Sequence, residues 1–428
     1  MRIFLDMIGC RLNQSEIETF AGEFRMAGHQ IVADPSLADL AVINTCAVTA
    51  AAESDSRQKI RQISRAGAGK VIVTGCWSSL DPQGAAQLSG VVKVIHNQDK
   101  DALVPLVLDL PQELFDMEPI ARRPLPGARS RTRAFIKVQD GCDNRCTFCI
   151  TTIARGRRRS RSIAEILADI QSALEPSQNP AKEVVLTGVH LGSWGHDLSP
   201  RKRLSDLIQT ILDRTSVPRL RLSSLEPWDL DADFFSLWND ERLCRHLHLP
   251  LQSGCATTLR RMARKTTPDS FADLLSAARE ACKEIAITTD IIVGFPGETE
   301  EEFQESLAFV RTMEFSGGHV FTFSERPGTA AARMPHQVPH SLRKERNRQM
   351  QLILSESARA YQERFLGKTL MVLWESVVAS DGSGWHLQGW SDNYLRVSTY
   401  APQSYWNQIT PARLTAIDPN GIKGQILI

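Results

Sequence analysis

Short apolar runs alternate with amphipathic segments along the first 115 residues of this chain. Ile3 to Met7, Leu40 to Ile43, Val71 to Thr74 and Val91 to Ile95 read as strands, and Gln14 to Ala27 and Glu53 to Arg65 carry helical spacing. Strands separated by helices predict a doubly wound parallel α/β domain over residues 1–118. Residues 119–133, rich in proline, glycine and arginine, have linker composition. A second alternation occupies 134–366. Its strands are Ala134 to Val138, Glu183 to Leu186, Leu220 to Ser223, His246 to Leu249, Ala286 to Ile292 and Gly318 to Phe323. Helical segments Ile163 to Leu174, Leu204 to Arg214, Thr257 to Arg264, Ser270 to Lys283 and Glu300 to Met313 fall between them, so a partial (β/α)6 barrel is expected. A last helix, Leu342 to Phe365, leads into residues 367–428, where short strand-like runs and the turn signals Asp381-Gly382 and Asn420-Gly421 predict a small β-barrel.

Composition narrows the class. With 428 residues, 42% hydrophobic and 23% charged, the chain has the profile of a soluble globular protein of two or three domains. No apolar run reaches the roughly 18 residues of a membrane span, and the start turns polar before a signal-peptide core can form, so a cytoplasmic protein without a membrane partner is expected. Fifty basic residues against 49 acidic give a net charge of +1. Nucleic-acid binding would therefore need local basic patches. Nine cysteines, an odd number, argue against a disulfide framework and for metal or redox chemistry.

The cysteine positions sharpen this. Cys142, Cys146 and Cys149 stand in the spacing CxxxCxxC directly after a predicted strand. Three thiolates on one loop suit a four-iron cluster with one iron left open; zinc is the alternative, but it would want a fourth ligand, and the nearest downstream histidine is His190. Cys10, Cys46 and Cys76 each follow the apolar run of a different amino-terminal strand. Loops at the carboxyl ends of neighbouring parallel strands line one crevice, so these three can meet and hold a second cluster. Taken singly, each reads as a buried small hydrophobe.

CxxxCxxC resembles the radical S-adenosylmethionine superfamily, in which the open iron chelates S-adenosylmethionine. Later segments fit in order: Thr187-Gly188-Val189-His190, Ser223-Ser224-Leu225-Glu226-Pro227, Leu249-Pro250-Leu251-Gln252-Ser253-Gly254 and Asp290-Ile291-Ile292-Val293-Gly294, each at the carboxyl end of a strand, where barrel enzymes place their sites. Within them Gly188, Ser224, Glu226, Gln252 and Asp290 are the candidate cofactor contacts. Gly9-Cys10-Arg11-Leu12-Asn13-Gln14, Asn44-Thr45-Cys46 and Thr74-Gly75-Cys76 resemble the motifs of the methylthiotransferase family, and the last segment resembles its RNA-binding TRAM barrel. Thr151-Thr152 and Trp77 depart from the usual Ile-Pro and Tyr.

The first motif is most similar to the branch acting on N6-threonylcarbamoyladenosine beside the tRNA anticodon. That resemblance implies two [4Fe-4S] clusters on Cys10, Cys46, Cys76 and on Cys142, Cys146, Cys149, S-adenosylmethionine, tRNA as partner, and an electron donor such as flavodoxin or ferredoxin. It also implies a radical route, since adenine C2 is an unactivated carbon that offers no purchase to a base or nucleophile. The alternatives are the isopentenyladenosine and ribosomal-protein S12 branches, or a non-catalytic zinc-containing RNA-binding protein.

Just past the cluster loop, Arg155, Arg157, Arg158, Arg159 and Arg161 form the candidate RNA-binding segment, with a solvated charged face as the plain reading. Arg343, Lys344, Arg346 and Arg348 are expected on the exposed face of the last helix, and Trp374, Trp385, Trp390 and Tyr394 in the small barrel's core. Cys244, Cys255 and Cys282 read as structural.

Overall fold

A computed structural model describes residues 1–115, 132–175, 179–231, 233–381, 384–419 and 421–427. The anticipated linker lies outside them apart from its last two residues, as do Gly382 and Asn420 of the two turn signals.

The first part of the chain runs β1 (Arg2–Met7), α1 (Arg11–Met26), β2 (Gln30–Val32), β3 (Leu40–Thr45), α2 (Ala50–Arg65), β4 (Val71–Gly75), α3 (Cys76–Leu80), α4 (Pro82–Ala86), β5 (Val91–Ile95) and α5 (Leu103–Leu108). The five strands form one parallel sheet in the order β2-β1-β3-β4-β5. Every residue of β3 and β4 is buried, as expected of central strands covered on both faces by helices. Strand order reverses between β1 and β3, which opens a crevice at the carboxyl ends of β1, β3 and β4. The strand β2 escapes the sequence pattern because three residues are too few to show a period.

The central part comprises β6 (Arg133–Lys137), β7 (Gln139–Asp140), α6 (Thr151–Arg155), β8 (Arg159–Ser160), α7 (Ile163–Leu174), β9 (Glu183–Thr187), α8 (Leu204–Arg214), β10 (Leu220–Leu222), β11 (His246–His248), α9 (Ala256–Arg261), α10 (Pro268–Ala281), β12 (Ala286–Val293), α11 (Glu300–Thr312), β13 (Gly317–Thr322) and α12 (His340–Glu363). Two parallel triplets, β6-β9-β10 and β11-β12-β13, are stitched together by parallel bridges from Leu220 to Leu243 and from Ser224 to His248. Among the described residues β13 does not pair back to β6, so the barrel is open on one side. Its helices start where the sequence provides caps: Ser162 with Glu165 for α7, Thr267 with Pro268 for α10, and Thr299 with Glu302 for α11. Arg346 corrects the expectation of an exposed basic face on α12. It is 2% exposed and pairs with Glu298 at 2.8 Å.

Strands β14 (Thr369–Asp381), β15 (Gly384–Ser391), β16 (Arg396–Ala401), β17 (Ile409–Asp418) and β18 (Gly421–Ile426) close a small barrel in the order β14-β15-β16-β18-β17. Trp374 is fully buried in its core. Arginines of the central barrel clamp it: Arg221 chelates Glu183 at 2.6 and 3.0 Å and donates to the Ser391 and Asp392 carbonyls, and Arg245 pairs with Asp392 at 2.6 Å. No helix among the described residues is long and apolar enough to cross a membrane.

Helix α1 packs against β6 and carries a buried carboxyl, Glu23, among Asp101, Lys137, Asp169 and Arg161. Burial, reinforced by Asp101, pushes its pKa up to about 8. The folded protein thus holds a proton that the unfolded chain releases above its ordinary carboxyl pKa, so this group's contribution to stability falls as pH rises from about 4.5 to about 8. Glu23→Gln is expected to flatten that slope and to stabilise the protein at pH 8, measured by urea unfolding across the range. An unchanged pH profile would show that Glu23 is ionised in the folded state.

Candidate active site

Glycines set the backbone at the entry to each of two cysteine sites. Gly75, at φ 105°, precedes Cys76 at a point where a Cβ would lie 2.3 Å from the Thr45 carbonyl oxygen. Gly141, at φ 67°, precedes Cys142, and a Cβ there would lie 2.0 Å from the Arg157 carbonyl oxygen. Only glycine fits either place. Cys10, Cys46 and Cys76 fall at the carboxyl ends of β1, β3 and β4, three adjacent strands, and the crevice brings them together. Cys46 and Cys76 are buried and Cys10 is exposed. Asn13 ties their loops, donating to the Ile8 and Thr45 carbonyls at 2.8 and 3.2 Å.

Arg155 is the part of this site that the sequence reading placed wrongly. It was expected at an RNA-binding surface; it is 2% exposed. Its guanidinium donates to Glu16 at 3.0 Å, Asp140 at 2.9 Å, Asn13 at 2.7 Å and the Cys76 sulfur at 3.3 Å. Lys100 closes the far side of Glu16 at 2.8 Å, and Lys137 contacts Asp101. Three carboxylates (Glu16, Asp101, Asp140) thus face three cations (Lys100, Lys137, Arg155). Burial alone would raise the Glu16 pKa, yet Arg155 and Lys100 hold it far below the usual carboxylate range. Arg161 is likewise committed, to Asp169 at 2.8 Å and the Lys137 carbonyl at 2.9 Å. Arg158 pairs with Asp143 at 2.9 Å, and Arg159 bonds the Arg155 carbonyl at 3.0 Å. Arg157 stands out, its side chain 92% exposed.

The loop of Cys142, Cys146 and Cys149 holds three partly exposed thiols. Two lie beside cations: Arg264, to which the sequence assigns no role, and His190, the nearest downstream histidine. The Arg264 guanidinium sits 3.8 Å from the Cys146 sulfur and chelates Glu226 at 3.2 and 2.7 Å. His190 Nδ1 is 3.8 Å from the Cys142 sulfur, while its Nε2 is 2.5 Å from Asp229. Burial opposes charging of His190, but the bonds to Asp229 and Cys142 outweigh it and raise its pKa to about 9. Burial pushes the Cys46 and Cys146 thiols up to about 11. Among the described residues no three His, Cys, Asp or Glu side chains are grouped to hold a single metal ion. Two sets of three thiols, with cationic donors at Cys76, Cys142 and Cys146, suit an anionic multi-iron cluster bound through three ligands.

A cavity of about 690 Å³ spans all three parts of the molecule. Cys10 and Arg11 line it from the start of α1 and the residue before it, Gly188, Ser224 and Asp290 from the barrel, and Trp390 and Tyr394 from the carboxyl-terminal barrel. Trp390 therefore faces the cavity and not the small barrel's core as expected, while Tyr394 lines the cavity and also packs against that core. Of the candidate cofactor contacts, Glu226 and Gln252 are not in this lining: Glu226 is held by Arg264, and Gln252 takes a left-handed backbone, φ 74°, between Asp290 and Ile292.

Comparison with known proteins agrees with this arrangement. Residues 136–310 match the radical SAM superfamily, and residues 2–96 match the "Uncharacterized protein family UPF0004". A radical S-adenosylmethionine methyltransferase, TsrM from Kitasatospora setae, has a similar fold, with TM-score 0.59 at 15% identity over 81% of this chain and 84% of that one. Fold and cysteine placement define a radical S-adenosylmethionine protein with an added amino-terminal α/β domain.

The chain resembles the threonylcarbamoyladenosine tRNA methylthiotransferases MtaB of Bacillus subtilis, at 35% identity over 91% of this chain and 88% of that protein, and of Thermotoga maritima, at 35% over 92% and 90%. A tRNA-2-methylthio-N(6)-dimethylallyladenosine synthase of Clostridium tetani is 27% identical over 99% and 95%. The chain belongs to the radical S-adenosylmethionine methylthiotransferase family, in its MtaB branch.

The placement of Arg155 is testable. Arg155→Met leaves Glu16 and Asp140 short of a buried counter-charge and is expected to cost about 3–5 kcal/mol in urea unfolding, whereas Arg157→Met should stay within about 0.5 kcal/mol. Equal stabilities would overturn the buried assignment.

Proposed function

We propose that this protein is a tRNA methylthiotransferase that converts N6-threonylcarbamoyladenosine beside the anticodon to its 2-methylthio derivative. The observation that carries the reading is the shared cavity: Cys10 of the amino-terminal triad and Gly188, Ser224 and Asp290 at the mouth of the barrel line one space. A group transferred from one site to a carbon activated at the other must meet it in such a space. The relatives' substrate, named above, supplies the nucleoside.

In this reading Cys142, Cys146 and Cys149 hold one [4Fe-4S] cluster and Cys10, Cys46 and Cys76 hold another. With S-adenosylmethionine bound, the first supplies the radical chemistry that an unactivated C–H carbon requires, and the second supplies the site of the sulfur. The chain's own residues set the surroundings. Arg264, His190 and Arg155 place positive charge against the sulfurs and so favour electron uptake there. Gly188, Ser224 and Asp290 face the cofactor; Glu226 acts through Arg264, orienting it at Cys146. Arg157, exposed, with Arg158 and Arg159 beside it, contacts tRNA phosphate. A low-potential donor such as flavodoxin or ferredoxin supplies the electron, in the cytoplasm.

Two measurements test this. Anaerobic reconstitution should give about eight irons per chain, falling to about four when either triad is changed to alanine; a wild-type maximum of four would exclude the second cluster. Reconstituted enzyme offered tRNA bearing threonylcarbamoyladenosine, tRNA bearing isopentenyladenosine, and ribosomal protein S12 should methylthiolate the first. Modification of S12 alone, or of isopentenyladenosine alone, would replace this reading.

A further inference from the structure

Arg11 follows Cys10 and lines the shared cavity. Among the described residues its guanidinium has a single hydrogen-bond partner, the Tyr394 hydroxyl at 2.7 Å, and no carboxylate pairs with it. Behind the lining, Arg221 is chelated by Glu183 and Arg133 pairs with Glu375 at 2.5 Å; the cavity's other arginine, Arg396, is exposed and donates to the Gln388 side chain at 2.6 Å. The one carboxylate of the lining, Asp290, lies 3.3 Å from His248 Nε2. The cavity therefore keeps an uncompensated positive charge beside Cys10.

Tyr394 is held firmly in place. Its backbone is left-handed, φ 61°, uncommon for an aromatic residue and a mark of a constrained site. Its ring stacks between His246, centroids 4.1 Å apart, and Trp390, at 4.6 Å. Because its oxygen accepts from Arg11, its own proton is available to donate. Ser223, His246 and Asp290 also line the cavity, and among the described residues Ser223 Oγ, His246 Nδ1 and Asp290 Oδ1 are buried without a hydrogen-bond partner, leaving polar capacity unused beside it.

We propose that Arg11 and the Tyr394 hydroxyl bind the carboxylate of the substrate's threonylcarbamoyl group and so select it over an uncharged N6 substituent. The assignment rests on the substrate reading above. In adenine, C2 and the N6-bearing carbon both flank N1, so a pose that brings C2 to the sulfur beside Cys10 brings the N6 substituent to its chain neighbour. The threonylcarbamoyl group ends in a carboxylate, which a guanidinium and a hydroxyl donor match; an isopentenyl group has nothing for them to bind and would leave the charge unpaired.

The test compares anticodon stem-loops bearing threonylcarbamoyladenosine or its methyl ester, which keeps the shape and removes the charge. Wild-type enzyme should prefer the acid by roughly 10- to 100-fold in kcat/KM. Arg11→Gln should abolish the preference, and Arg11→Lys should retain part of it. Wild-type enzyme that accepts acid and ester equally would leave the substrate reading standing and overturn the role of Arg11, a result that needs no variant to fold. An Arg11→Gln enzyme that keeps the wild-type preference would do the same. Wild-type enzyme inert toward both, yet active on isopentenyladenosine, would overturn the substrate reading itself.

Discussion

Arg155 links the two cysteine sites through one guanidinium. It leaves the central barrel directly after the cysteine loop, crosses to the amino-terminal sheet, and there meets Glu16, Asn13 and the Cys76 sulfur while keeping Asp140 of its own barrel. A cation this deeply buried is tolerable only with its carboxylates in place, and those come from both parts of the chain. The relative position of the two triads is thus tied to a charge balance that neither part satisfies alone. Asn97, donating to the Ala154 carbonyl at 2.9 Å, and Arg326, pairing with Glu53 at 2.7 Å, fasten the same seam from either side.

Charge also bears on the sulfurs, of which Cys46 and Cys76 are buried and the central three partly so. Burial disfavours a free thiolate, as the raised Cys46 and Cys146 pKa values show. Cationic donors set against Cys76, Cys142 and Cys146 offset that penalty for an anionic centre, and each is oriented by an acid of its own: Arg155 by Glu16, Arg264 by Glu226, His190 by Asp229. The pattern of sulfur, cation and orienting carboxylate recurs at both triads, although the residues come from unrelated elements.

The carboxyl-terminal barrel has a second role beyond any contact with RNA. Through Arg219, Arg221 and Arg245 it is clamped to the central strands, and the segment so held presents Trp390 and Tyr394 to the cavity. The cavity is therefore complete only when all three parts are docked.

Much of this was legible in the sequence. Apolar periodicity located the long helices and all six barrel strands to within a few residues, because burial on one face or two imposes a period that survives in the chain. The two cysteine sets were legible from their positions after strands, since parallel topology sends those positions to one edge. The family resemblance rested on the same motifs. What the sequence left open were the partners of the charges. Five arginines within Arg155–Arg161 look alike as letters, yet Arg155 is buried, Arg161 is paired and Arg157 faces solvent. An arginine's role depends on which carboxylates surround it, and Glu16, which claims Arg155, lies 139 residues away. Tyr394 and Arg11, 383 residues apart, meet for the same reason. Local patterning, which acts over a few residues, was decided by the sequence; pairing of charges and rings across domains was decided only by tertiary packing.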